Sequence, residues 1–323
     1  MTLHFADLRR EADLRLATAP YSPRQLVLIH TAISLGASLL VGLLNLLFFQ
    51  MIANTGGLSG LGTRSLLQTA QATLELAVTI LLPFWNVGLV RASLCWARGE
   101  TAEFPSLLEG FRRFRSVLGV KLLMGAIFLA ICMAVSYIGT MLFMFTPFAG
   151  GLMEALDPIV QEAGSLDPEV LLADETIAQI GSAAIPLMIF LGILFAALAI
   201  PAWYRMRFAD FAVMDGNRSM FSLLQSFRIT KKRALEVFRI DLRFWWFYVL
   251  QALCVALCYG DTILNSLGIQ PPISAEVCYV LFYAVGLIAQ GILLWYYQAQ
   301  VSATYALAYE QLAADAQIPE FRV

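Results

Sequence analysis

Glu75 is the side chain of this sequence with the most unusual setting for chemistry. It is a carboxylate inside an apolar run, ATLELAVTILL, with no Lys or Arg nearby except Arg64. An ionisable group at membrane depth costs about 2.5–3.5 kcal/mol on insertion scales unless it is partnered. Asn45 falls at a comparable depth of the preceding apolar run, and Asn86 lies further along the same run as Glu75. Together Glu75, Asn45 and Asn86 are a candidate intramembrane polar site, with Glu75 carrying a proton or a cation. The plainer reading, which is preferred, is a protonated or snorkelling carboxylate near the outer interface. Asn86, like Arg91 and Lys121, sits toward the inner side, where such residues more often anchor a span than bind a substrate.

Other chemistries find little support. The two histidines are His4 and His30, and no HExxH, GxxxxGK[ST] or GxGxxG pattern occurs. Cys254 and Cys258 share a helix face, but no second pair or histidine completes a metal site. The five cysteines read as small apolar fillers. No catalytic residue, cofactor-binding residue or metal is therefore expected, and the chain is read as no enzyme. Pro83, Pro186 and Pro201 interrupt apolar runs, which suits a broken-helix ligand site and equally an ordinary kink. Ser34, Ser38 and Gly42 form a small-residue stripe that lets another helix approach closely. Two basic clusters, Arg112 with Arg113 and Arg228 with Lys231, Lys232 and Arg233, are a candidate surface for anionic lipid or an acidic partner. Nucleic acid is not expected, because the bases are few and close to apolar runs.

The elements that must position these residues are membrane spans. Of 323 residues 59% are hydrophobic and 14% charged, with a mean hydropathy of +0.73, outside the balance of a soluble globular chain. A span needs about 20 apolar residues. Six stretches qualify: 26–52, 68–96, 117–146, 182–204, 243–267 and 276–300. Residues 1–24 are charged and lack the apolar core of a cleavable signal, so the N-terminus is expected to be retained. Six spans with both termini cytoplasmic put 20 of the 21 basic residues inside, leaving only Arg64 outside. Segment 147–181 carries seven carboxylates and no base, so it is expected to be extracytoplasmic, with short helices around 168–180.

The stretch SLLEGFR, Ser106 to Arg112, returns as SLLQSFR, Ser222 to Arg228. As helices both copies are amphipathic and precede a span that runs outward, so each is expected to lie at the inner surface with its Phe and Leu in the acyl boundary. Their polar positions, Glu109 and Gln225, are expected to tolerate exchange. Phe5, Leu8, Ala12 and Leu16 repeat the spacing ahead of span one. The chain thus reads as one integral-membrane domain, 1–323, built from three parallel units, 1–97, 98–215 and 216–323. Each unit is a surface helix followed by a membrane hairpin.

The run FSLLQSFRITKKRALEVFRIDLRFWWF and the late LLWYYQAQVSATYALAYEQL resemble the C-terminal half of an uncharacterised bacterial integral-membrane family. Phe238, Asp241, Phe244 and Trp246 carry the first part of the likeness; Tyr297, Ala303 and Tyr309 carry the second. It weakens before residue 90, and segment 147–181 departs from it. What the resemblance implies is a multi-pass helical fold in the bacterial cytoplasmic membrane, without an assigned reaction. The function expected is non-enzymatic: binding of membrane lipids, or of a membrane-protein partner or second copy, through cytoplasmic-face amphipathic helices. The alternative is a small-solute transporter or channel with its site near Glu75.

Overall fold

The computed structural model describes residues 5–54, 61–151, 153–154, 174–269 and 274–316. It is 87% helical with no strand among the described residues, so the fold is all-α. The helices, in order, are α1 Phe5–Ala17, α2 Pro23–Asn54, α3 Leu61–Arg98, α4 Phe104–Leu107, α5 Glu109–Arg112, α6 Phe114–Ala134 and α7 Thr140–Phe143. There follow α8 Asp174–Met206, α9 Ala209–Met214, α10 Ser219–Ile229, α11 Ala234–Arg243, α12 Trp245–Cys258, α13 Gly260–Ser266 and α14 Ala275–Asp315. Among the described residues five helices are long and apolar enough to cross a membrane, and a sixth span is added if α11 and α12 count as one, bent by 64°. The protein is thus multi-pass in character, as the composition requires.

Two spans depart from their expected form. The third is α6 and α7 joined by a π-helical turn, Val135–Gly139. The fifth is broken at Tyr259 between α12 and α13, and Phe244, fully buried, sits at the sharp bend between α11 and α12. Apolar content identifies spans but is blind to such breaks. Pro83, Pro186 and Pro201 lie inside continuous helices, so all three are absorbed without ending their element. Most of segment 147–181 lies outside the described residues, although α8 does begin at Asp174.

The chain falls into two compact units, one of residues 1–120 and 208–323 and the other of residues 121–207. This division follows packing and cuts across the three sequence units. In the larger unit α14 packs against α1, α2, α3 and α12. The small-residue stripe of α2 is the seat for α14: Tyr283 lies against Gly42 and its hydroxyl donates to the Ser38 carbonyl at 2.9 Å. A Cβ on Gly42 would meet that ring at 2.8 Å. On another side of α14, Gly286 leaves room for Cys258 of α12. In the smaller unit, Gly139 in the π turn fits against Leu191 and Leu194 of α8, while Phe143 meets Phe190 at 5.9 Å between ring centroids. Trp203 is flanked by Phe128 and by the Arg207 guanidinium, 5.7 Å from its ring.

Candidate functional site at the basic end

Both copies of the repeated stretch follow a helix that ends in the same way. At the end of α3, Gly99 takes φ +71°, and Glu100 N–H donates back to the Cys95 carbonyl at 2.8 Å. At the end of α9, Gly216 takes φ +101°, and Asn217 N–H donates to the Ala212 carbonyl at 3.3 Å. A left-handed residue followed by this long return bond is the glycine-terminated helix end, where a side chain on that residue would be strained. The residues just before the two glycines are Arg98 and Asp215, and they bind each other.

That pair is the centre of a polar clasp joining three helix ends. Arg98 also donates through Nε to Glu310 of α14 at 2.8 Å. The Tyr309 hydroxyl donates to the second oxygen of Asp215 at 2.9 Å, and Gln225 Nε2 of α10 donates to that hydroxyl at 3.3 Å. Asn217 completes the chain, giving one N–H to Gln225 at 2.6 Å and one to the Ala212 carbonyl at 3.1 Å. Beneath it the buried rings of Phe208, Phe211 and Tyr309 meet at centroid distances of 5.5–5.9 Å. Each partly buried charge therefore faces an opposite charge, and Asp215 has the Tyr309 hydroxyl besides, which makes burying them tolerable. Gln225 lies in the repeated stretch, but none of Arg98, Asp215, Glu310 or Asn217 belongs to a motif. The only signal in the sequence is a charged residue immediately before a glycine at the end of an apolar run.

The repeated stretches share a burial register but not a backbone. Leu107 and Leu223 are buried, as are Gly110 and Ser226; Leu108 and Leu224 face outward, and so do Arg112 and Arg228. Copy two is one continuous helix, α10. Copy one is not the single surface helix expected: it breaks at Leu108 into α4 and α5. The cause is its close seat on α3. A methyl group on Gly88 would overlap the Leu107 carbonyl, and one on Gly110 would overlap that of Phe84, so backbone lies on backbone. In α10 the inward residue is serine, whose hydroxyl accepts from Phe208 N–H at 3.2 Å.

The faces turned outward are the apolar ones. On α10, Ser222, Leu223, Ser226 and Ile229 are buried, while Met220, Phe221 and Leu224 are 66%, 64% and 49% exposed. On α4, α5 and the start of α6, Phe104, Leu108, Phe111 and Phe114 are likewise exposed. The N-terminal helix behaves differently: Leu8 and Ala12 are buried and α1 packs on α14, with Gln300 donating to Asp13 at 2.7 Å. Its apolar stripe, expected in the acyl boundary, faces protein instead.

The basic residues singled out from sequence fall on separate elements. Arg112 and Arg113 line a cleft of about 460 Å³ between the end of α3 and α4–α5, together with Arg91. Arg113 is held there by Glu109 at 3.2 Å and by the Val213 carbonyl at 2.9 Å. Arg228 is exposed at the end of α10. Lys231 and Lys232 are exposed in the turn before α11, Lys232 at φ +67°. Arg233 pairs with Asp315 at 2.8 Å, which ties that turn to the end of α14.

At the far end of the same unit, Asn45 Nδ2 donates to Glu75 at 2.8 Å and Gln71 reaches the same oxygen at 3.4 Å. Glu75 and Asn45, which the sequence put at a comparable depth, are thus hydrogen-bonded, and Glu75 is exposed on its helix. Asn86 is not brought to them; it lies beside His30, which stacks on Trp85 at 5.4 Å. Of the residues that carried the family resemblance, Tyr309 belongs to the clasp, and Asp241, Trp246 and Tyr297 make contacts among α11, α12 and α14. The Tyr248 hydroxyl bonds Asp241 and Tyr305, each at 3.1 Å, and Trp246 meets Tyr297 edge-on at 4.7 Å. Compared with family models, curated proteins and solved structures, the chain matches none.

Proposed function

We propose that this is a non-enzymatic multi-pass protein of the bacterial cytoplasmic membrane, related to the family its C-terminal half resembles. In this reading both termini are cytoplasmic, and the protein binds membrane lipid through the helices of its basic end. The observation that carries the reading is the orientation of α10. It buries two serines along with Leu223 and Ile229, yet presents Met220, Phe221 and Leu224 outward, next to exposed Arg228. A helix in water would not turn three large apolar side chains outward while placing two serines inside. Large apolar side chains on the outside with arginine at their edge suit the boundary between acyl chains and phosphates. The exposed residues of α4–α5 repeat the arrangement. The transporter reading has less support, because Glu75 already accepts from Asn45 and Gln71 and sits on an exposed helix face.

The test is photocrosslinking in native membranes with benzoylphenylalanine placed at Phe221 or Leu224. Adducts that lose mass on phospholipase treatment are expected at both positions and not at buried Leu223. An adduct with a second polypeptide at both positions would replace lipid with a protein partner.

A further inference from the structure

Within that lipid-binding reading, we infer that the cleft between α3 and α4–α5 is a site for one phosphodiester, the headgroup phosphate of an anionic phospholipid. The argument begins with Arg91. Its side chain is only 28% exposed, and its sole charged partner among the described residues is Glu100, with N···O 3.6 Å. That separation is too long for a hydrogen bond, so a guanidinium with five N–H donors lines a cleft with its donors largely unmet. Arg112 lines the same cleft, 73% exposed and 3.5 Å from Glu109. Arg113 is already committed to Glu109 and the Val213 carbonyl, so it positions Glu109 and the wall rather than the ligand. Ser106 accepts from Glu103 N–H at 3.3 Å, which leaves its hydroxyl proton available to a ligand oxygen. Three arginines facing Glu100 and Glu109 leave one net positive charge, the complement of a phosphodiester monoanion. Arginine suits it, because the planar fork matches two phosphate oxygens at once.

The lipid source follows from what alternates with the cleft residues along the chain. Phe104, Leu108, Phe111 and Phe114 are all exposed, and they interleave with Ser106, Glu109, Arg112 and Arg113. A ligand seated by its phosphate would have apolar surface beside it for acyl chains. A soluble phosphate would use the arginines alone, and binding must separate the two.

The full-length protein in a neutral detergent is titrated with dioctanoyl-phosphatidylglycerol, dioctanoyl-phosphatidylcholine and sn-glycerol 3-phosphate, with bound ligand read by native mass spectrometry. Phosphatidylglycerol is expected to bind at least tenfold more tightly than either other probe. That preference is expected to fall tenfold or more in Arg91→Gln and in Arg112→Glu, and to persist in Arg228→Gln, which lies outside the cleft. Arg112→Glu alters an exposed side chain, so its folding is not in question even if Arg91→Gln is unstable. Equal binding of the two lipids, equal binding of glycerol phosphate, or unchanged preference in Arg112→Glu would each overturn the site. If lipid adducts at Phe221 persist while the preference is absent, the cleft alone is refuted; if both fail, the lipid-binding reading falls with it.

Discussion

Arg98 holds the ends of three helices with one guanidinium, and its loss is expected to be severe. Arg98→Met leaves Asp215 and Glu310 partly buried beside each other with no cation, a change of about 2–3 kcal/mol once the partial exposure is allowed for. Arg98→Lys keeps the charge but not the fork and is expected to lose about half as much. Thermal unfolding in detergent, followed by loss of monodisperse protein, reads both; an unchanged melting temperature for Arg98→Met would remove the clasp from the account. Gln225 belongs to the same network, which corrects the expectation that its polar position tolerates exchange. Gln225→Glu removes the donor to Tyr309 and brings a second carboxylate toward Asp215, so it is expected to destabilise. Glu75→Gln, by contrast, keeps the acceptor that Asn45 uses and is expected to leave stability within about 0.5 kcal/mol. A pH-dependent ion flux in reconstituted vesicles, abolished by that change, would instead revive the transporter reading.

Among the elements, the glycines of α3 and α5 show how far a sequence can be read. Apolar runs and the positive-inside bias make the spans legible, because each depends on composition over about 20 residues. The SLL repeat is legible as a shared position and shared outward residues. Its broken backbone is not, because nothing in EGF distinguishes a helix interior from a point where two backbones touch. The clasp is hidden for a similar reason: Arg98, Asp215 and Glu310 are far apart in the chain and individually ordinary. A sharp contrast tests the contact. Gly88→Ala, which forces the Leu107 carbonyl away, is expected to cost roughly 1–3 kcal/mol as overpacking does. Gly36→Ala, with nothing near the added methyl group, is expected to stabilise by up to about 1 kcal/mol through helix propensity. Equal effects in a thermal melt would mean that α4–α5 do not lie against α3 as described.

For the whole molecule, the prediction is orientation. The end of α3, which carries Arg98, the acidic ends of α9 and α14, and the charged helix α1 meet at one end of the larger unit, through Arg98, Arg113, Arg233 and Asp13. One face of the membrane must therefore hold all of them, and in the topology proposed from the charge bias it is the cytoplasmic face. Cysteines introduced at 160 and 268 are expected to react with an impermeant maleimide on intact cells, and those at Arg112 and Lys231 only after lysis. Position 110 is unsuited to such a probe, because its backbone contact leaves no room for a side chain. Labelling in the reverse sense would invert the proposed topology and place both the clasp and the cleft outside.

The union of α1 and α14 has a consequence for biosynthesis. Ribosomes deliver α1, α2 and α3 to the membrane long before Gln300 and Glu310 exist, yet Asp13 takes its partner, and Arg98 one of its two, from α14. Until α14 is synthesised, the early helices must wait in the bilayer with the face meant for it covered by lipid or by the insertion machinery. A nascent chain arrested before residue 298 is then an assembly intermediate with an open seam. It is the species that membrane quality-control proteases are expected to remove, while the finished chain survives.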